Sequence, residues 1–211
     1  MKIIDSNRME SIKTEKAVLI DIFRASSSIV VILSNGAEKI IPFPDEHSAR
    51  EFHKKHTDMI LVGEREGYRI PDFQFGNTPY LLSREDFHGK SVIFVSTNGT
   101  RVLNKISAKT IYIGAFLNAS SIINVIDEST DLICANRRNL FSIEDFVYAA
   151  YIKAKKLNVP IDYDRLVKII LSSRSADRVR SLNAEDDMYF SIKLDLYKTV
   201  PYFRDGVIRA L

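Results

Sequence analysis

Four polar segments each follow a short apolar run: Asp21-Ile-Phe-Arg24-Ala25-Ser26-Ser27-Ser28, Gly63-Glu64-Arg65-Glu66-Gly67, Thr97-Asn98-Gly99-Thr100-Arg101 and Phe116-Leu117-Asn118-Ala119. The first three join an arginine to hydroxyls or carboxylates. Asp21 ends its apolar run, where a carboxylate is costly unless paired, liganded or facing water. It reads as a metal ligand or acid–base group, or as the partner of Arg24. Glu64 supplies a second carboxylate for a hard cation such as Mg²⁺, which takes one or two and keeps several waters. Arg24, Arg65 and Arg101 carry planar forks that grip oxyanions bidentately. Ser26, Ser27 and Ser28 stand where a helix would begin, and a helix N-terminus attracts phosphate, sulfate or carboxylate. Simple capping explains the serines equally well. Gly99 would let the backbone approach a bound group closely, with Asn98 and Thr100 as donors. The missing Walker lysine excludes a P-loop. Ser142-Ile143-Glu144-Asp145 resembles a capping box. It also puts two carboxylates at a helix start, behind Asn136-Arg137-Arg138. The histidines, His47, His53, His56 and His88, have no zinc or catalytic spacing.

These groups matter only if the fold gathers them. Lys16–Asp21, Glu38–Ile41, Met59–Val62, Ser91–Val95, Thr110–Ile113 and Leu132–Ala135 read as buried strands. Helices are expected over about 26–33, 45–56, 100–106, 118–126 and 142–156, with Asn35-Gly36 as a stop and Pro42-Phe43-Pro44 as a turn. After Pro160 the pattern is helical, about 163–172 and 184–196, and Val200-Pro201 interrupts it. Alternating strands and helices predict a three-layer α/β/α fold with a mainly parallel or mixed sheet and a helical C-terminal part. Ligands in such folds bind beyond the carboxyl ends of the strands. The expectation is one unit over residues 1–211, with the long connection 67–90 as the place where it would divide.

Composition narrows the classes. The chain has 211 residues, 45% hydrophobic and 27% charged, which suits a globular protein with a sizeable core. Thirty Lys+Arg against 27 Asp+Glu give a net charge of +3, spread along the chain. That speaks against nucleic acid as a partner. The single cysteine, Cys134, excludes a disulfide framework and reads as a small buried hydrophobe. No apolar run reaches the roughly 18–20 residues of a membrane span, and the N-terminus lacks a signal-peptide pattern. A cytoplasmic protein with a small anionic substrate is expected, and a homo-oligomer is compatible with the sequence.

In this order the segments resemble the 2-phosphosulfolactate phosphatase family of coenzyme M biosynthesis. The matching pieces are Asp21-x-x-Arg24-Ala25-Ser26-Ser27-Ser28, Gly63-Glu64-Arg65-x-Gly67, Phe75-Gly76-Asn77-Thr78-Pro79, Thr97-Asn98-Gly99-Thr100-Arg101, Gly114-x-Phe116-Leu117-Asn118-Ala119 and Glu144-Asp145. Glu185-Asp186, Asp195 and Pro201 extend the resemblance towards the C-terminus. It implies Mg²⁺-dependent hydrolysis of a phosphate ester on a three-carbon sulfonated acid. Carried onto these residues, Asp21, Glu64 and Asp145 would be catalytic, and together with Glu144 would surround the metal. Arg24, Arg65 and Arg101 would bind substrate anions. Ser26, Ser27, Ser28, Asn98, Gly99, Thr100 and Asn118 would complete the substrate site. Where the family carries Cys-Ala-Gly, this chain has Cys134-Ala135-Asn136-Arg137-Arg138-Asn139, a bulkier and more basic rim. Alternatives are a phosphatase for another small phosphorylated acid, or a non-catalytic anion-binding protein.

Overall fold

Long apolar runs become strands, and the stretches between them become helices. The computed structural model describes residues 1–137 and 140–211. In chain order the elements are β1 (Ile3–Asp5), β2 (Ile12–Lys13), β3 (Lys16–Ile20), α1 (Ala25–Ser34), β4 (Lys39–Phe43), α2 (Glu46–His53), β5 (Ile60–Arg65), β6 (Tyr68–Arg69), α3 (Pro79–Leu82), β7 (Ser91–Val95), α4 (Gly99–Leu103), β8 (Ile106–Ser107), β9 (Thr110–Gly114), α5 (Ala119–Val125), β10 (Thr130–Cys134), α6 (Ile143–Lys156), α7 (Tyr163–Leu171), α8 (Arg174–Ser181), α9 (Glu185–Ser191), β11 (Pro201–Arg204) and β12 (Val207–Ala210).

Among the described residues, ten strands form one mixed sheet in the order β1-β10-β3-β9-β11-β12-β4-β7-β5-β6. It contains two parallel blocks, β1-β10-β3-β9 and β4-β7-β5. The hairpin β11–β12 lies between them, antiparallel to β9 on one side and to β4 on the other. The blocks therefore run in opposite senses. In a flat sheet the carboxyl ends of β3 and β7 would lie at opposite edges. Five steps separate these strands, and a twist of roughly 20–25° per step turns one block through about 100–125° against the other. Helix α1 starts just after β3 and packs against β9, β11, β12 and β4, so it spans the junction. Consecutive residues of β3 and of β7 are buried, as expected for strands covered on both faces.

Two sequence expectations change here. Pro42 lies inside β4, paired with Phe94 of β7, rather than in a turn. β12 pairs with β4 only at Ile40, so no ladder bond is lost at the proline. Pro201 opens β11 instead of merely ending a helix. Asp205 and Gly206, both at positive φ (51° and 79°), make the two-residue hairpin turn to β12.

Candidate active site

The loops after β3, β7 and β10, the last residues of β5 and the start of α6 converge on one cavity of about 340 Å³. Asp21, Arg24, Glu64, Asn98, Glu144 and Asp145 line it, as do several residues the sequence did not single out. The two parallel blocks meet at Gly99. A Cβ placed there would lie 3.0 Å from Asp21 Oδ2 and 2.9 Å from the Ala25 Cβ. Only glycine lets α4 start this close to the carboxylate.

All four acids are buried. Burial, reinforced by the charge of Glu64, pushes the Asp21 carboxyl up to about 6, against the pull of the Ala25 and Gly99 amides and of Arg24. Burial pushes Glu144 up to about 7, with the Asp21 charge adding to it. The Oε2 atom of Glu144 is buried with no hydrogen-bond partner among the described residues. Asp145 is raised well above the usual carboxylate range by burial and by its two acidic neighbours. Its oxygens accept the Ile22 amide at 2.8 Å and the Asn136 amide at 3.0 Å, which fixes the chain after β3 and after β10. Glu64 performs the same task on the other block. It accepts the Thr97 amide at 2.5 Å, the Thr97 hydroxyl at 2.9 Å and the Gly67 amide at 2.7 Å.

The cations and hydroxyls are distributed differently from expectation. Arg24 reaches the cavity, but its Nη1 donates to Asp187 at 2.8 Å and its Nη2 to the Gly67 carbonyl at 2.7 Å. Arg65 is exposed and outside the cavity lining, because β5 runs through it and alternation turns it away from Glu64. Arg101 is half-buried on α4 and also outside the lining. The serines are not a cap: Arg24 is the N-cap residue, without a side-chain cap bond. Ser26 Oγ accepts the Asp21 amide at 2.9 Å, Ser27 Oγ donates to Ile22 O at 3.0 Å, and Ser28 is buried beside them. These serines lie behind the strand-to-helix turn, away from the cavity. Thr100 bonds back to Ser96, and Asn118 caps its own turn through the Ala115 amide and reaches Thr199 O. Ser142 is the N-cap of α6, yet its Oγ accepts the Arg137 amide, and Asp145 turns to Ile22 and Asn136, so the capping box does not form.

Asn77, Thr97, Arg137, Arg174, Ser175 and Arg178 also line the cavity. Arg138 and Asn139 lie outside the described residues. The signal for α8 was present in Ser173, whose side chain accepts the Ala176 amide, and in the Ala176–Val179 spacing. The polar character of the segment concealed it.

Among the described residues no group of three or more His, Cys, Asp or Glu has metal-holding geometry. A hard divalent cation needs only one or two carboxylates, with waters and substrate oxygens completing its shell. Asp21 and Glu144 suit it, since both are buried carboxyls and Glu144 carries an unpartnered oxygen. Among the described residues no helix is long and apolar enough to cross a membrane.

The family model for 2-phosphosulpholactate phosphatase matches residues 3–206. The chain is 35% identical over 211 residues to a probable 2-phosphosulfolactate phosphatase of Thermotoga maritima, with 93% of this chain and 92% of the relative covered. A probable enzyme of the same name from Thermoplasma volcanium is 34% identical, with 90% of each chain covered. Another, from Clostridium beijerinckii, is 33% identical, with 93% and 92% covered. The match spans both parallel blocks and every loop at the cavity, so this chain belongs to the 2-phosphosulfolactate phosphatase family, a family of phosphoric monoester hydrolases.

Proposed function

We propose that this protein hydrolyses the phosphate ester of a small sulfonated or carboxylated acid, 2-phosphosulfolactate foremost, with Mg²⁺ as cofactor. The observation that carries the reading is the pairing of Asp21 and Glu144, two buried carboxyls raised to about 6 and about 7 in one cavity. Near neutral pH each needs a proton or a cation to be at ease in that setting. Asp21 and Glu144 would hold Mg²⁺, which when bound neutralises phosphate oxygens and favours in-line attack. Glu64 and Asp145 hold the loops through their amide bonds and leave Asp21 and Glu144 facing the cavity. Asn98, whose buried Oδ1 has no partner among the described residues, presents its carboxamide at the start of α4 for the substrate. In the reaction a water oxygen joins phosphorus, the ester P–O bond breaks, and the alcohol leaves with a proton from water.

The test is a phosphate-release assay over 2-phosphosulfolactate, 2-phospholactate and phosphoglycerate, with Mg²⁺ and with chelator. Release that is fastest with 2-phosphosulfolactate and abolished by chelator is expected. Absence of release from all three in the presence of Mg²⁺ sinks the proposal. Fastest release from a different ester moves the substrate assignment.

A further inference from the structure

The cavity has a second polar wall that phosphate hydrolysis alone does not use. Arg174, Ser175 and Arg178 of α8 line it. Residues 174 and 178 are one turn apart, so their guanidinium groups leave the same face of a short helix, where like charges repel. Among the described residues neither forms an ion pair, although carboxylates line the same cavity. Arg178 Nη2 donates to the Glu66 carbonyl at 3.0 Å, which aims the side chain without pairing its charge with a carboxylate among the described residues. Arg174 makes no hydrogen bond or ion pair among the described residues. The other cations among the described lining residues are engaged: Arg24 with Asp187 at 2.8 Å, and Arg137 with Glu66 at 3.5 Å. Ser175 draws the Glu144 carboxyl down against the effect of burial, which puts α8 beside the acidic wall. Val179 and Leu182 of the same wall are apolar and weaken the competition from water.

We infer that Arg174 and Arg178 recognise a second strong anion, a sulfonate or carboxylate, on the part of the substrate remote from its phosphate. Helix α8 is then the specificity element of the enzyme. The inference rests on the phosphatase reading for its substrate, but its first test does not need turnover. The probe is sulfoacetate, a compact sulfonate and carboxylate without phosphate, titrated calorimetrically into the intact protein. Binding by the wild type that weakens at least about tenfold in Arg174→Gln, and recovers in part in Arg174→Lys, is expected from the loss of one charge-assisted contact. No binding by the wild type, or equal binding by Arg174→Gln, overturns the inference. In turnover, the ratio of kcat/KM for 2-phosphosulfolactate over that for glycerol 2-phosphate should fall at least about tenfold in Arg174→Gln, chiefly through KM. An unchanged ratio overturns it as well. If the wild type releases phosphate from neither ester, the phosphatase reading falls, while sulfoacetate binding still decides the role of α8. Thermal melts of both variants check that they fold, and Arg174 is an exposed side chain whose loss leaves no buried partner.

Discussion

Glu144 combines deep burial, an unpartnered oxygen and a carboxyl raised to about 7, and no feature of its local sequence announces this. Glu144→Gln removes the charge and keeps the shape. Its expected effect is loss of Mg²⁺-dependent turnover by about two orders of magnitude or more, the scale of removing one electrostatic stabiliser. The metal-free melting temperature at pH 8 should rise, because a buried charge has gone. A variant with wild-type turnover would remove Glu144 from the site. Gly99 is the complementary case. Its Cβ would press on Asp21 Oδ2 and on Ala25, so Gly99→Ala must move the carboxylate or the helix start. A displacement of a few tenths of an ångström should lower kcat about 10- to 100-fold with a small change in stability, as measured by steady-state kinetics and melting. Both residues were visible in the sequence as types. Their environment was not, because Asp21 and Gly99 belong to different parallel blocks and meet only in the folded sheet.

The element that joins most parts of the site is the turn between β5 and β6. Glu66 and Gly67 sit at positive φ, 53° and 94°. Gly67 donates its amide to Glu64 and its carbonyl receives Arg24, while the Glu66 amide binds Thr97 Oγ1 and its carbonyl receives Arg178. Arg24 continues the connection to Asp187 of α9, whose other oxygen accepts the Tyr80 amide at 3.0 Å. Burial pushes the Asp187 carboxyl up despite the guanidinium beside it, so this pair sets position more than it adds stability. Cutting it is a different matter. Arg24→Ala strands a buried carboxylate and should cost about 3–5 kcal/mol, read from denaturant unfolding. Asp187→Asn, which keeps the acceptor towards Tyr80, should cost less. Equal stability of Arg24→Ala and wild type would contradict the burial of the pair. The apolar strands were legible because a sheet covered on both faces leaves unbroken hydrophobic runs, and Ser91–Val95 coincides with β7. Helix α8 and the strands β1, β6, β11 and β12 were not, being short or polar. Their signals are local: a serine cap for α8, and Asp205-Gly206 for the last hairpin. The arginines of α8 were missed for the same reason, and Arg65 falls outside the cavity lining because strand alternation, not loop position, decides where it points.

At the scale of the whole molecule, the raised carboxyls predict an unusual response to pH. Asp21, Glu144, Asp145 and Asp187 all hold protons more tightly in the fold than in the unfolded chain. Between about pH 4 and 7 the folded protein therefore carries more protons than the unfolded chain, and stability falls as pH rises. The metal-free protein should melt higher at pH 5 than at pH 8, and millimolar Mg²⁺ should recover much of the difference at pH 8 through binding to the native state alone. A melting temperature that is flat or rises over this range would refute the raised values. The final hairpin bears on a different property. β11 and β12 stand fifth and sixth in a ten-stranded sheet, although they come last in the chain order of its strands. As the polypeptide emerges from the ribosome, both halves of the molecule exist before the piece that seams them together. Until that piece arrives, β9 and β4 present raw edges to the cell, open to annealing with a neighbouring nascent chain.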